Sequence, residues 1–300
     1  MMTELEVPQR RAVQLMRDVV SLFKLRIGSL IMVTALAGVA VAPGSPPGAL
    51  QVFTLAFVVL LASASAGAFN QYFEFESDAL MARTRKRVFV TGALKPSPAW
   101  LVLIGAMLAA AVGLAAFALN AASASYVFLG AFFYAIVYTV WLKQRTWLNI
   151  VIGGLAGSFA VLAGAAAVDP AIGAQPALLA LVLFLWTPPH FWSLAIANQA
   201  DYANARIPML PIIVGRERAA WIVFWNTVAL VVVSMLPVVY GAGLIYLAGA
   251  IAGGGYFIAR TWALARAPSR ETAMRAFLAS LVQLSALLVA AFIDSAGWWT

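Results

Sequence analysis

The chain has no cysteine and a single histidine, His190. The first absence excludes a disulfide scaffold, cysteine-ligated zinc, an iron–sulfur cluster and thiol catalysis, and leaves the redox compartment open. One histidine cannot build a multi-histidine metal site. Charge is scarce as well: Asp, Glu, Lys and Arg make up 10% of 300 residues, against about a quarter in soluble domains. With 64% hydrophobic residues and a mean hydropathy of +0.93, too little polar surface exists to coat a water-soluble body. Disorder, coiled coil and nucleic-acid binding fall for the same reason.

What the chain does have is long apolar runs. A membrane-crossing helix needs about 20 mostly apolar residues. Nine such segments are expected, at about 24–43, 51–73, 98–118, 124–142, 147–168, 176–197, 219–238, 242–260 and 274–293. Gly44 to Gly48, Asn120 to Ser123 and Asp169-Pro170 read as short turns, while 74–97 and 198–218 are longer and carry most of the charge. The reading is an all-α integral membrane protein, one transmembrane domain over 1–300 with 1–20 as a polar tail. That tail resembles no cleavable signal peptide.

The net charge of +8 is explained by where the 19 cations sit. They precede span 1, lie between spans 2 and 3, and follow spans 4, 6 and 8; the opposite loops hold none. Lys and Arg accumulate on the cytoplasmic side, so the N-terminus is expected inside and, with nine spans, the C-terminus outside.

Among the 11 carboxylates, Glu4, Glu6 and Asp18 belong to the tail, Asp169 and Asp294 to the outer side, and Glu217 and Glu271 to charged loops. Glu74, Glu76, Asp78 and Asp201 differ, because they sit at the cytoplasmic ends of spans 2 and 6 beside apolar sequence. If the span-2 helix continues, Asn70, Glu74 and Asp78 share one face at i, i+4 spacing, and Glu76 points away from it. Hard oxygen ligands at low charge density suit Mg²⁺ carrying a phosphate ligand. Arg83 to Arg87 follow, and arginine forks suit phosphate oxygens. The competing reading is a surface helix whose acids pair with those arginines. Spans 2 and 6 lie four apart and both end in acid followed by base, which points to an internal repeat of four-helix units and to two loops facing one cavity.

Five stretches, in order along residues 23–215, resemble the protohaem IX farnesyltransferase (haem O synthase) family within the intramembrane (UbiA-type) prenyltransferases. They are Phe23-Lys24-Leu25-Arg26-Ile27; Asn70 through Arg87; Tyr138 through Thr146 with Asn149 through Gly154; Trp186-Thr187-Pro188-Pro189-His190-Phe191-Trp192; and Asp201-Tyr202 through Ile207-Pro208-Met209-Leu210-Pro211. The resemblance implies a helical bundle around a central cavity, two acidic motifs that bind Mg²⁺ and farnesyl diphosphate, ionisation of the allylic C–O bond, and capture of the farnesyl cation by a vinyl group of haem B. It further implies haem A synthase or terminal-oxidase assembly proteins as partners, in a bacterial-type inner membrane. The chain departs from the family pattern at Glu74 and Glu76, where Asp is usual, at Asn198 and Ala200, and at Ala160-Val161, where Pro-Pro is common.

On this reading Asn70, Glu74, Asp78 and Asp201 hold metal, directly or through water. Lys24, Arg83, Arg87 and Lys143 hold the diphosphate, with Arg26 and Arg145 in reserve. Phe69, Tyr72, Phe73, Tyr138 and Trp192 are eligible to face a passing cation, although most aromatics in such a chain pack or face lipid. His190 is the common haem-ligand type and follows Pro188-Pro189, where a break in the helix is expected; the alternative is a packed histidine bonded to the kinked backbone. Three other functions compete: prenyl transfer to another aromatic or quinone-like acceptor, secondary transport, and non-catalytic haem delivery. Transport predicts polar groups near the bilayer midplane, whereas these acids cluster at one surface.

Overall fold

The computed structural model describes residues 6–45 and 47–297, with side chains from Val13 onward; Glu4 and the side chains of Glu6, Arg10 and Arg11 lie outside the described residues. Fourteen α-helices account for nearly all of it. Nine match the expected spans within a few residues: α2 (Leu25–Val41), α3 (Ala49–Phe73), α5 (Pro98–Ala118), α6 (Ala121–Phe132, continued by a π-helix over Phe133–Leu142), α8 (Leu155–Val168, preceded by the short α7, Asn149–Gly153), α9 (Ala174–Ala197), α12 (Arg216–Met235), α13 (Leu244–Arg266) and α14 (Arg270–Ser295). Among the described residues, eight stretches are long and apolar enough to cross a membrane alone. The ninth, α2, has 17 residues and joins the preceding helix at a 43° bend.

Three expectations are corrected or refined. The polar tail, for which the sequence predicts no secondary structure, carries helix α1 (Glu6–Leu22), with the apolar residues Val13, Met16 and Val20 exposed along it. The turn after α5 is shorter than Asn120 to Ser123, because the Asn120 side chain accepts from the Ser123 backbone N–H at 2.8 Å and so caps α6 from its first residue. Finally, α9 runs through Pro188 and Pro189 without a break. A hydroxyl covers a carbonyl on either side of the prolines: Thr187 donates to Leu183 O at 2.9 Å and Ser193 to Pro189 O at 2.6 Å.

Spans pack in two groups. In the first, α3, α5, α6 and α8 stand each against the next, and α2 closes the group between α3 and α8. In the second, α9, α12, α13 and α14 do the same, with α14 returning to α9. Seams between α8 and α9 and between α14 and α2 join the two. Leaving α2 aside, four consecutive spans from α3 to α8 and four from α9 to α14 form the two groups. Small residues permit the closest contact: a Cβ on Gly38 would strike the Val161 carbonyl, and one on Gly164 the Ala35 carbonyl. Hydroxyls add bonds between helices, from Ser65 to Ile104 O, Ser123 to Ala163 O and Ser158 to Ala180 O, each 2.8 Å. The outward faces carry Phe53, Val102, Phe117, Trp225 and Val239, an apolar surface stable only against lipid.

At the charged end, α3 stops at Glu74 and restarts as α4 (Phe75–Ala79), and α9 stops at Asn198 and restarts as α10 (Gln199–Asn204). The two loops that follow pack together. Met81 of the first is buried in one cluster with Tyr202, Ile207, Met209 and Leu210 around the second.

Candidate active site

Despite the interruption at Glu74, the α-helical backbone bonds persist, from Glu74 N to Asn70 O at 3.0 Å and from Asp78 N to Glu74 O at 2.8 Å. Asn70, Glu74 and Asp78 therefore stay on one stripe, and all three are buried, whereas Glu76 is exposed. Each member of the stripe meets its own cation. Lys24 donates to Asn70 Oδ1 at 2.6 Å, Lys143 to Glu74 Oε2 at 2.5 Å, and Arg87 to Asp78 Oδ2 while standing 4.0 Å from Glu74 Oε2.

Local backbone puts those cations in place. Lys24 occupies the break between α1 and α2 in the left-handed conformation, φ 48° and ψ 41°, which a residue with a Cβ adopts at a cost of order 1 kcal/mol or more. Its aliphatic stem lies over Gly67, where a Cβ would already touch it at 3.4 Å. Lys143 ends the π-helix, and its N–H bonds to Tyr138 O at 2.9 Å, five residues back. The wide turn brings Tyr134 and Thr139 toward α3. The Thr139 hydroxyl bonds to Tyr134 O at 2.8 Å and receives Asn70 Nδ2 at 2.9 Å. Lys24 Nζ lies 5.8 Å over the Tyr134 ring and Lys143 Nζ 5.7 Å over Tyr138, and the two rings stack at 5.7 Å. π-turns are recurrent at functional sites.

The pairing anticipated by the competing reading is thus present for Asp78, but it does not saturate the acids. Glu74 Oε1 and Asp78 Oδ1 are buried with no hydrogen-bond partner among the described residues, as is Oδ1 of Asn149, whose amide group donates to Lys143 O at 3.1 Å. Buried carboxylate oxygens without partners are costly and form a hard-ligand set suited to a divalent cation that completes its shell with water and phosphate. Among the described residues no three carboxylate or histidine side chains come together as a ready metal cage, so Asp201 does not complete a single shell with Glu74 and Asp78.

Asp201 instead bridges the loops, with Oδ1 3.3 Å from the Ala82 N–H and Oδ2 3.4 Å from the Arg83 N–H. The Arg83 side chain is exposed, so Arg83 and Arg87 do not act as one fork; Arg26 and Arg145 are exposed as well. Of the eligible aromatics only Tyr138 stands in the cluster. Tyr72 packs edge-on to Phe89, Phe69 stacks on Phe73, and Trp192 leans on Trp147. Sequence reasoning missed Tyr134, Thr139 and a role for Asn149.

Below this cluster a narrow apolar cavity opens between α2, α3, α6 and α8. Lys24 lies at its polar end, and Ile31, Val59, Val127, Ala160 and Ala163 line it further along. His190 lies apart on α9, in a separate aromatic setting with Trp186 and Phe277.

Residues 31–287 match the UbiA prenyltransferase family. The chain is 54% identical over 274 residues to protoheme IX farnesyltransferase 2 of Paramagnetospirillum magneticum, covering 91% of this chain and 95% of that one. Its fold is similar to that of a digeranylgeranylglyceryl phosphate synthase (TM-score 0.78, 18% identity, 94% of this chain and 99% of that one). It is also similar to a UbiA homologue from Archaeoglobus fulgidus solved with DMAPP and Mg²⁺ (TM-score 0.65, 15% identity, 89% and 98%). An acid-and-cation cluster over an apolar slot, in a bundle of this topology, thus belongs to a membrane prenyltransferase, and the chain is a member of the UbiA prenyltransferase family.

Proposed function

We propose that the protein transfers a farnesyl group from farnesyl diphosphate to a vinyl group of haem B, giving haem O, at the charged end of the bundle, which faces the cytoplasm. One observation carries the reading: Lys24 at once bonds the acid stripe and lines the apolar cavity, so a polar head and a long apolar tail meet at a single residue. The 54% identical relative named for the same reaction supports the acceptor.

Lys24, Arg87 and Lys143 outnumber Glu74 and Asp78, so the cluster favours an anion. The three cations turn to the diphosphate oxygens as the acids are relieved of them, with Arg83 at the exposed rim. Asn70, Glu74 and Asp78 would hold Mg²⁺ directly, with Asp201 reaching metal through water from the second loop, and the metal would supply Lewis-acid neutralisation of the leaving group. The allylic C–O bond breaks with both electrons going to the diphosphate. Stacked Tyr134 and Tyr138 face the cationic region and the slot excludes water. The haem vinyl carbon then bonds the farnesyl carbon, water adds to the adjacent carbon, and one proton leaves. His190 is the only imidazole with which the chain can meet the haem.

The test is expression in cells that cannot make haem O. Haem O detected by mass spectrometry, and lost with Asp78→Asn, supports the reading. Absence of haem O from a well-expressed chain, with farnesyl diphosphate and haem B supplied, overturns it.

A further inference from the structure

His190 is 7% exposed and its ring is clamped on both faces. Trp186 stacks at 4.1 Å and 20°, Phe277 covers the other side at 4.5 Å and 30°, and Phe191 stands edge-on at 4.9 Å. Only the ring edge remains available. On that edge Nδ1 lies 2.6 Å from the Ser280 hydroxyl oxygen, across the α9–α14 seam. The Ser280 hydroxyl also stands 2.6 Å from the Phe277 carbonyl. A carbonyl oxygen cannot donate, so the single hydroxyl proton is spent on Phe277 O. The contact with His190 must then use a proton on Nδ1. Nε2 is left as a bare lone pair; among the described residues it has no hydrogen-bond partner, and it is not among the fully enclosed atoms.

We propose that Ser280 is a positioning residue for the haem acceptor: by taking the Nδ1 proton it fixes His190 as the tautomer whose Nε2 ligates the haem iron. The inference rests on haem being the acceptor. Histidines that bind metal through one nitrogen characteristically donate from the other, which sets tautomer and ring direction and raises basicity. The aromatic clamp makes the approach edge-on, as ligation requires, and stops the ring from turning. Trp186 Nε1 bonds the Ser280 carbonyl at 2.8 Å, so the seam keeps one anchor when the hydroxyl is removed. Ser280 is 90 residues from His190 and outside every stretch that motif reasoning singled out.

His190 being the only histidine, ¹⁵N-histidine labelling of the haem-free protein, purified without a histidine tag and placed in nanodiscs, reports one ring. Wild type should show a protonated Nδ1 and a bare Nε2. Ser280→Ala should shift the tautomer ratio at least tenfold toward Nε2–H, and Ser280→Thr should restore it. An Nε2–H signal in wild type, or an unchanged ratio in Ser280→Ala, overturns the assignment. Haem B is then added and the iron–histidine stretch of the ferrous protein read by resonance Raman. It should be present in wild type, shifted to lower frequency in Ser280→Ala, recovered in Ser280→Thr, and absent in His190→Gly until imidazole is supplied. A wild-type protein that takes up no haem B sinks the acceptor reading and this inference together. Haem uptake with the same stretch in wild type and Ser280→Ala sinks the inference alone. If Ser280→Ala does not fold, the wild-type tautomer and Ser280→Thr still decide.

Discussion

Lys143 meets Glu74 at 2.5 Å although 69 residues separate them; Glu74 is buried and Lys143 largely so, at 3% and 12% side-chain exposure. Removing one member of a buried pair leaves the other charge uncompensated, at a cost of about 3 kcal/mol. Lys143→Met should therefore lower thermal stability in nanodiscs and abolish turnover. The double variant Lys143→Met with Glu74→Gln should regain most of the stability and none of the turnover. A double variant as unstable as the single one would show that packing, not charge, dominates.

The acid stripe was legible because it obeys helical spacing, and Asn70, Glu74 and Asp78 keep that spacing through the interruption at Glu74. The spans were legible because lipid imposes length and apolarity on every crossing segment. The π-helix was not, since a shift from i−4 to i−5 bonding leaves no mark in composition; Tyr134 and Thr139 were missed with it. Asn149 lay within a matched stretch, but nothing in its sequence context says that its amide would bond the Lys143 carbonyl and leave Oδ1 buried without a partner among the described residues. Arg83 and Arg87 looked equivalent from spacing alone, and only the turns of the first loop separate the half-buried arginine from the exposed one.

Orientation is open to direct measurement because the native chain contains no cysteine. Ser45 and Thr91 are both exposed and lie at opposite ends of α3. In intact cells Ser45→Cys should react with an impermeant maleimide, and Thr91→Cys only after permeabilisation. The reverse pattern would invert the bundle and move the site to the other side.

Helix contact between α2 and α8 rests on two glycines facing carbonyls. Gly164→Ala would drive a methyl into Ala35 O, and Gly38→Ala one into Val161 O. Overpacking of this kind costs about 1–3 kcal/mol. Both variants should unfold at lower temperature than wild type, while Gly105→Ala, which meets nothing within 4 Å, should not. Equal melting of all three would mean that the seam is looser than its geometry.

The apolar cavity sets a length. Val59 lies 11 residues before Asn70 on α3, about 16 Å along the helix axis. Val59→Phe should fill the deep part of the slot, so that farnesyl diphosphate loses at least tenfold in kcat/KM while geranyl diphosphate loses little. Equal losses for both donors would mean that the tail lies elsewhere.

Asp201 tests whether the two loops make one site. Its carboxylate receives the backbone N–H groups of Ala82 and Arg83 from the first loop, and the loops share a buried cluster through Met81 and Tyr202. Asn keeps the shape and one acceptor but turns an NH₂ toward the other backbone N–H, so loop closure is read separately from turnover. A metal or diphosphate role would not survive, because the charge is the function. Asp201→Asn should therefore insert, bind haem B and keep the first loop closed, as judged by unchanged labelling at Thr91→Cys. Prenyl transfer should fall by more than 100-fold, about 3 kcal/mol of transition-state stabilisation, as when one electrostatic group is deleted from an active site. Near-normal haem O formation with weakened loop closure would make Asp201 a clamp and leave the chemistry to the first loop alone.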